Sequence, residues 1–546
     1  MIYEPMHMHL HTCHQPGGSM EGHIFNASLL GMRYIRFTDH DTRTGKKKNP
    51  IESFDFTLGE TMVKDKRGTY GFESFGEPDI SFEDGKLKIT ASSSDEGYHR
   101  AGVYFLSKGT KHTVSLIAEV ALTLGLKFKT FGDAHVYLDV RLSQRPPEHK
   151  PAHLIYSFDG YCGGDGIHTV RLPVSENEDG LYKLNLSDDM RELWEIGGLD
   201  NVFDTVLITA ETRRGGSAEI ILDCFEIRAK YGYDDVIVRQ RAVADEIGKK
   251  YGVKPFVTTE ISDAGQHKNV FSTSVPVINY EERGYSVSEW DAVRHVKAHG
   301  GIFAYNHPFE NSKYKKQKEL TREDVELAVV KEAASLISTR LFGATLIEVG
   351  FTEGRGLFKL EDYLRLWDII SLAGIFITGY GDSDSHKNHQ SWFDGNNFAT
   401  WVAVNEKIPF PVPEEEFINS MKAGNVYMGD PVFLKSEISF TSNGAPMGAV
   451  VAPEVGGNKM TFRMKTPIPD STVRVIVDGK EYLKEKITSA DEYTLEFEFK
   501  PEFAIGFARV ELYNPEGRCI MLTNPIYVVD TNVFLGDVPE ERLRRK

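Results

Sequence analysis

Apolar and polar positions fall into three textures along this chain. MHMHLHT, Met6 to Thr12, alternates, so His7, His9 and His11 would share one face of a strand. SMEGHIFNASLLGM then carries apolar residues at helical spacing, and RYIRFTDHD is a short apolar run ending in polar residues, which predicts a helix and a buried strand. From about Phe54 to Lys230 the period is two. KLKITAS, HRAGVYFLS, HVYLDVRLS, HLIYSFD, GLYKLNLS, DTVLITAET and AEIILDCFEI are short alternating runs between turn residues, the pattern of a β-sandwich. From Tyr231 helix and strand alternate again. DDVIVRQRAVADEIGKKYG precedes KPFVTTEIS, SEWDAVRHVKAHGG precedes IFAYNHP, a helix within Thr321 to Leu341 precedes ATLIEVGF, and LEDYLRLWDIISLAG precedes IFITGYGDSDSH. Such alternation predicts a parallel sheet or barrel. After PEEEFINSMKAG only strands remain, KMTFRMKT through IMLTNPIYVV, and they predict a second sandwich.

The first α/β piece is too short to stand alone. Domains are inserted at exposed loops because the two ends of a domain lie close together. Residues 1–48 and 231–428 are therefore expected to form one α/β domain, interrupted by a sandwich over 49–230 and followed by another over 429–546.

Bulk properties narrow the function. The 546 residues carry a formal charge of -17, which disfavours nucleic acid as the main partner. Cys13, Cys162, Cys224 and Cys519 are far apart, without CxxC spacing, so a reducing compartment is the simpler inference. No apolar stretch approaches a membrane span and no signal-like region opens the chain, so the expectation is a cytoplasmic protein with no membrane partner. The oligomeric state is not legible.

In α/β barrels the chemistry sits where strands run out into loops. Reading only those ends collects His9 and His11, then Asp39, His40 and Asp41, then Glu260 and His267, then His307, Glu348, Asp384 and His386. These are ligand types for Zn, Mn and Fe. Each fragment alone is weak: NHP is usually a turn and TDHD often a helix cap. Their joint placement predicts a multinuclear metal centre. His295 and His299, on a helix and at its C-terminal end, read instead as solvated or capping residues. Lys46, Lys47 and Lys48 read as a charged loop at a domain junction. Arg355, in TEGRG after a strand end, is a candidate for binding a substrate anion.

The order HxHT, TDH, Glu with a following His, NHP and DxH resembles the PHP superfamily, named for polymerase and histidinol phosphatase domains. The match covers residues 1–48 and about 231–400. The resemblance implies a distorted (β/α)7 TIM-like barrel holding two or three divalent ions (Zn, Mn or Fe). It implies that His9, His11, Glu260 and Asp384 hold the first ion. Glu260 would bridge to a second ion on His267 and His307, and His40 and His386 would hold a third. Two departures stand out. The family's Asp before HxH is His7 here, more simply read as a partner of a ligand than as a ligand. The usual further ligand after HxHT falls in CHQPGGS, where His14 is the nearest candidate and a candidate substrate contact.

The resemblance implies hydrolysis, with Glu260, Asp384 and Arg355 as the catalytic candidates and a phosphate ester as the first expected substrate. The C-terminal strands ending LTNPIYVV are similar to those of the carbaryl hydrolase-like branch, which implies the alternative of a carboxylic or carbamate ester. No GxSxG elbow offers a serine nucleophile. The 49–230 insert resembles galactose-binding jelly rolls and carbohydrate-binding modules. It makes a glycan, or a glycan-linked ester, a candidate partner through Tyr98, Tyr156, Tyr161 or Trp194. A third alternative follows, a carbohydrate-binding protein on a non-catalytic metal-binding scaffold.

Overall fold

The structure is a computed structural model. It describes residues 1–12, 18–41, 51–54, 62–65, 68–105, 114–117, 119–145, 150–160, 169–230, 233–262, 264–280, 287–309, 319–351, 356–386, 398–488, 490–530, 538 and 540–544. Two compact units emerge. One comprises Met1–His11, His23–Gly45 and Gly248–Lys546, and the other Thr12–Gly22 and Lys46–Ile247.

The first unit begins with β1 (Ile2–Leu10), α1 (Met20–Leu29) and β2 (Tyr34–His40). α2 (Tyr233–Tyr251), most of which belongs to the second unit, leads back into β3 (Lys254–Ile261) and β4 (Lys268–Phe271). Then follow α3 (Glu289–Ala298), β5 (Ile302–Tyr305), α4 (Arg322–Thr339), β6 (Leu346–Gly350), α5 (Leu360–Leu372) and β7 (Thr378–Gly381). The run closes with β8 (Ala399–Val404), α6 (Glu414–Ala423) and β9 (Val426–Gly429). Ser288 and Thr321 start α3 and α4 with reciprocal capping boxes to Asp291 and Asp324.

β1, β2 and β3 pair in parallel, as do β5, β6 and β7. Between the two sets lies β4, antiparallel to both neighbours. Seven strands thus stand in the order β7-β6-β5-β4-β3-β2-β1. The chain beyond β7 comes back to β1 through one bridge, Leu10 to Ser385, with His11 N–H donating to Ser385 O at 3.0 Å. No ladder joins β7 to β1 among the described residues, so the expected (β/α)7 barrel is here a mixed sheet that does not close and continues beyond β1 into β8 and β9. The strands are short and buried on both faces, as in VYMG and LIEVG, which suits a sheet covered by helices.

The boundary expected at 429 does not separate the strands. β9 pairs with Cys519–Thr523, and the same sheet continues through Ile505–Tyr513, Thr472–Val477 and Lys480–Lys486. The physical reason is the edge of β9. A fully buried apolar strand cannot leave its N–H and C=O groups unpaired. The outermost strand, KEYLKEK, is charged and exposed, as an edge in water should be. A separate four-stranded sheet forms from Ile438–Ser442, Ala445–Pro446, Asn458–Met464 and Tyr493–Phe499. The buried Arg509 guanidinium grips Asp368 of α5 through both carboxylate oxygens at 2.9 Å and Glu511 at 2.5 Å, tying the C-terminal strands to the helical layer.

The second unit has its own twelve-stranded sheet. Its spine is the antiparallel pair Glu119–Arg145 and Val202–Lys230, flanked on both sides by shorter strands. Alternate residues of the spine, among them Val120, Leu122, Leu124, Val136, Leu138, Val140, Ile208, Ile220 and Leu222, enter one apolar core. The period-two pattern read in 49–230 therefore produces strands that bury one face together. No described helix is long and apolar enough to cross a membrane.

Candidate metal centre

Alternation in β1 brings His9 and His11 towards the same place, and the β1–β2 register shifts between His7 and Leu10. His9 Nδ1 donates to Glu348 Oε1 at 3.0 Å. That orients the ring and leaves Nε2 facing Asp384 Oδ1 at 3.2 Å and Glu260 Oε1 at 3.4 Å. His11 Nε2 lies 2.9 Å from the same Asp384 oxygen and 3.3 Å from His9 Nε2. His7 goes elsewhere. Its Nδ1 pairs with Asp382 Oδ1 at 2.6 Å, and the other Asp382 oxygen accepts the Met8 N–H. His7 therefore braces β1 against the segment that carries Asp384.

Glu260, at the end of β3, is fully buried. One of its oxygens faces His40 Nδ1 at 2.6 Å. The other faces His267 Nδ1 at 3.2 Å and His307 Nε2 at 3.4 Å, and accepts from Asn306 Nδ2 at 2.7 Å. His386 joins from the far side, its ring stacked on His11 with centroids 4.0 Å apart. Two members sit on left-handed backbone, His307 with φ 25° and Asp384 with φ 49°. Non-glycine residues hold that conformation only where their surroundings enforce it, and such positions gather at functional sites.

Three overlapping sets have donor atoms close enough to share one cation: His9, His11 and Glu260; His40, Glu260 and His267; His11, His40 and His386. His9 Nε2, His11 Nε2 and Asp384 Oδ1 also form a triangle with edges of 2.9, 3.2 and 3.3 Å. Ligands about 2.0–2.1 Å from a tetrahedral zinc stand roughly 3.3 Å apart, so the triangle has the size of one face of such a site. Two imidazole nitrogens and a carboxylate oxygen converge on one point, where a cation can take the place of protons. The residues present fit a divalent metal.

The electrostatics agree. Burial would raise the Glu260 carboxyl, but His9 and hydrogen bonds from His267, His307 and His40 hold it well below the usual carboxylate range. Burial opposes charge on His9, yet Asp384, Glu260 and Glu348 raise its imidazole well above the ordinary value. His267 is raised against burial by Glu260, whereas burial and the nearby His11 lower His386.

The structure thus brings His9, His11, His40, Glu260, His267, His307, Asp384 and His386 into one cluster. His14 and Arg355 lie outside the described residues, as do Lys46, Lys47, Lys48 and Tyr161. Lys268, the cation next to His267, is buried and directed to Glu289 at 2.6 Å. His299, the C-cap of α3, bonds the carbonyl of His295 at 2.8 Å, whereas His295 bonds the loop carbonyl of Pro276 at 2.8 Å and so ties the helix to that loop. In the second unit Tyr156 is core, bonded to Asp189, Trp194 packs on that core, and Tyr98 is 60% exposed with Arg213 over its ring.

Sequence reasoning missed the polar chain behind Glu260. Asn269 Nδ2 donates to the Tyr380 hydroxyl at 3.3 Å, which donates to Asn306 Oδ1 at 3.0 Å, and Asn306 holds Glu260. Only Asn306 carried a signal, as the first residue of NHP, and a turn reading absorbed it.

No family model matches this chain, and no curated protein matches it. Among solved structures, a two-domain protein from Bacteroides vulgatus ATCC 8482 containing a predicted PHP-like metal-dependent phosphoesterase aligns with 53% of this chain and 79% of its own, at 16% identity and a TM-score of 0.27. A family 12 xyloglucanase from Bacillus licheniformis aligns over 33% of this chain and 100% of its own, at 11% identity and a TM-score of 0.22. The xyloglucanase domain of NopAA, a type three effector from Sinorhizobium fredii, aligns over 31% and 97%, at 11% identity and a TM-score of 0.22. Likenesses this slight decide neither fold nor activity, and the function rests on the side chains.

Proposed function

We propose that this protein is a metal-dependent hydrolase of esters, with a phosphate ester as the first substrate class. The observation that carries the reading is the convergence of His9 and His11 imidazole nitrogens with the buried carboxylates of Glu260 and Asp384, His9 being oriented from behind by Glu348 and Glu260 by Asn306. His9, His11, Glu260 and Asp384 would hold one cation, with Glu260 shared towards His267 and His307, and His40 and His386 would complete a third position. Cations held there lower the pKa of water and neutralise the charge that develops on an ester under attack. The chain's own part is orientation. Glu348 fixes the His9 tautomer and, through its second oxygen, accepts the His307 backbone N–H at 2.6 Å. Asn306 keeps one Glu260 lone pair aimed, and Asp382 holds His7 and with it β1.

A phosphate monoester needs positive charge beyond the metals, and Lys268 is already paired. Arg355 and His14 are the proposed substrate contacts. Without them a carboxylic or carbamate ester, which carries no dianion, suits the same machinery. The exposed Tyr98 supports a glycan at the second unit, as a substrate moiety or as the ligand of a non-catalytic scaffold.

The test has two arms. Elemental analysis of protein purified without chelator should find at least two transition-metal ions per chain, and their absence would remove the reading. A panel of aryl phosphates, phosphodiesters and aryl esters then assigns the class. Turnover of esters alone transfers the function to the carboxylic or carbamate reading. Inertness of the metal-loaded protein towards the whole panel, with glycan binding, transfers it to the scaffold.

A further inference from the structure

A second cavity lies at the opposite end of the strands from the metal cluster. Its walls include Thr345, just before β6, and Ile375 to Ile377, just before β7, whereas His307 and Asp384 follow the ends of β5 and β7. It is an open cleft of about 710 Å³, within the roughly 300–1,000 Å³ of small-molecule sites.

Its charge runs against that of the whole chain. Four cationic side chains, Lys297, Arg340, Lys422 and Arg542, line it with one acid, Glu541, in a protein of net charge -17. Arg542 is 1% exposed, and its guanidinium donates only to neutral oxygens: Lys422 O and Gly448 O, both at 3.1 Å, and Thr378 Oγ1. It forms no ion pair among the described residues, and burial lowers its pKa to about 10. The ammonium groups of Lys297 and Lys422 likewise have no ion-pair or hydrogen-bond partner among the described residues. Cations in excess of their counter-charge favour an incoming anion.

The backbone is shaped for the same end. Arg340, Leu341 and Phe342 are consecutive left-handed residues, with φ 47°, 48° and 54°. L-residues avoid this conformation, and a run of three is rarer than an isolated one. The turn places both Arg340 and Phe342 on the cavity wall. Gly343 completes it, since a Cβ there would come within 2.4 Å of Lys297 Nζ. Phe342 also supports Trp290 edge-on, with centroids 4.8 Å apart, and the indole is 49% exposed. An exposed indole braced by a second ring offers a platform for a planar group.

We propose that this cavity is a binding site for a small phosphorylated molecule with a planar ring, of the nucleoside monophosphate type. The ring stacks on Trp290 and the phosphate is held by Lys297, Arg340 and Lys422. The site is separate from the metal cluster and its occupancy does not depend on the proposed hydrolysis.

The probe is the phosphonate analogue of adenosine monophosphate, whose carbon bridge an ester hydrolase cannot cut. It is titrated into the full-length, metal-loaded protein, followed by calorimetry and tryptophan fluorescence. Saturable binding with quenching is expected. Lys297→Ala with Lys422→Ala should weaken it at least about tenfold, as loss of charge-assisted contacts does. Trp290→Leu should abolish most of the quenching and weaken binding, while Glu260→Gln should leave the affinity unchanged. Absence of binding, binding indifferent to both lysine and tryptophan variants, or binding lost in Glu260→Gln would each overturn the proposal. The last result would move the probe to the metal cluster without touching the hydrolase reading.

Discussion

Glu260→Gln is the most informative single change, because it keeps the shape of the side chain and removes one buried charge. In the wild type five histidines face this carboxylate, at distances from 2.6 Å for His40 to 3.8 Å for His11. A unit charge about 4 Å from a cation is worth roughly 4 kcal/mol at an effective dielectric near 20, or about three orders of magnitude in an equilibrium constant. The amide dipole restores part of this, so the expected loss is at least about a hundredfold in affinity for the second cation. Turnover at matched metal loading should fall at least about a hundredfold, the size of losing a principal electrostatic stabiliser. The assay compares wild type, Glu260→Gln and His299→Gln on an aryl phosphate and an aryl ester, with metal content and thermal midpoint recorded for each. Among the described residues the exposed His299 side chain hydrogen-bonds the carbonyl one turn back in α3 and no member of the metal cluster, so its variant should behave as wild type. A folded Glu260→Gln protein with wild-type turnover at equal metal content would refute the role given to this carboxylate.

Three further outcomes follow from the same geometry. Glu348→Gln keeps one acceptor for His9 Nδ1 and disturbs the other, so metal affinity should fall about 10–100-fold by competition titration, with little change in fold. In metal-free protein His9 and His267 have folded pKa values above 6.5. The stability they contribute is full below that value and fades as pH rises through the raised pKa, while the opposite shift of His386 offsets part of it. Protons and metal compete for these nitrogens, so the rise in melting temperature on adding zinc should grow as pH is raised from about 6 to 8, and an effect that shrinks instead would contradict the protonation assigned here. Arg509→Met strands Asp368 as a buried carboxylate, although Glu511 keeps Arg474 and the Tyr513 hydroxyl, and should cost about 3–5 kcal/mol in urea unfolding, far more than Arg294→Met in the exposed pair with Asp291.

Much of the cluster was legible because strand ends announce themselves by a change of residue type. His9 and His11 follow from alternation alone, and TTEIS, IFAYNHP and YGDSDSH each show an apolar run breaking into ligand-type residues. β4 was hidden for the converse reason. KNVF is four residues long, too short for periodicity to register, yet it puts an antiparallel strand between β3 and β5. The C-terminal strands read correctly as strands, but which sheet receives them depends on the unpaired edge of β9, a long-range property no local pattern carries. Asn306 and Asp382 were overlooked because a polar residue beside a histidine looks like loop chemistry until its burial is known. Glu348 is the intermediate case, visible as an acid within an apolar strand but readable as a brace only once His9 and His307 are seen on its two oxygens.

The interrupted first unit also sets a timetable for biosynthesis. His9, His11 and His40 leave the ribosome about 220 residues before Glu260, the residue that joins them to the later ligands. At roughly 5–20 residues per second, that is an interval of about 10–40 s. β1 waits longer still, since one of its two neighbours in the sheet is β8, which begins at Ala399. During this time β1 and β2 have apolar faces, free outer edges and three closely spaced imidazoles but no partner strand other than each other. The second unit, whose long antiparallel spine lies within one continuous stretch of chain, can complete its own core in the meantime. A nascent chain of this kind is exposed to premature metal capture by the MHMHLH segment and to pairing of β1 with another molecule. Its yield in cells should therefore depend on translation rate and metal supply more than the stability of the finished fold suggests.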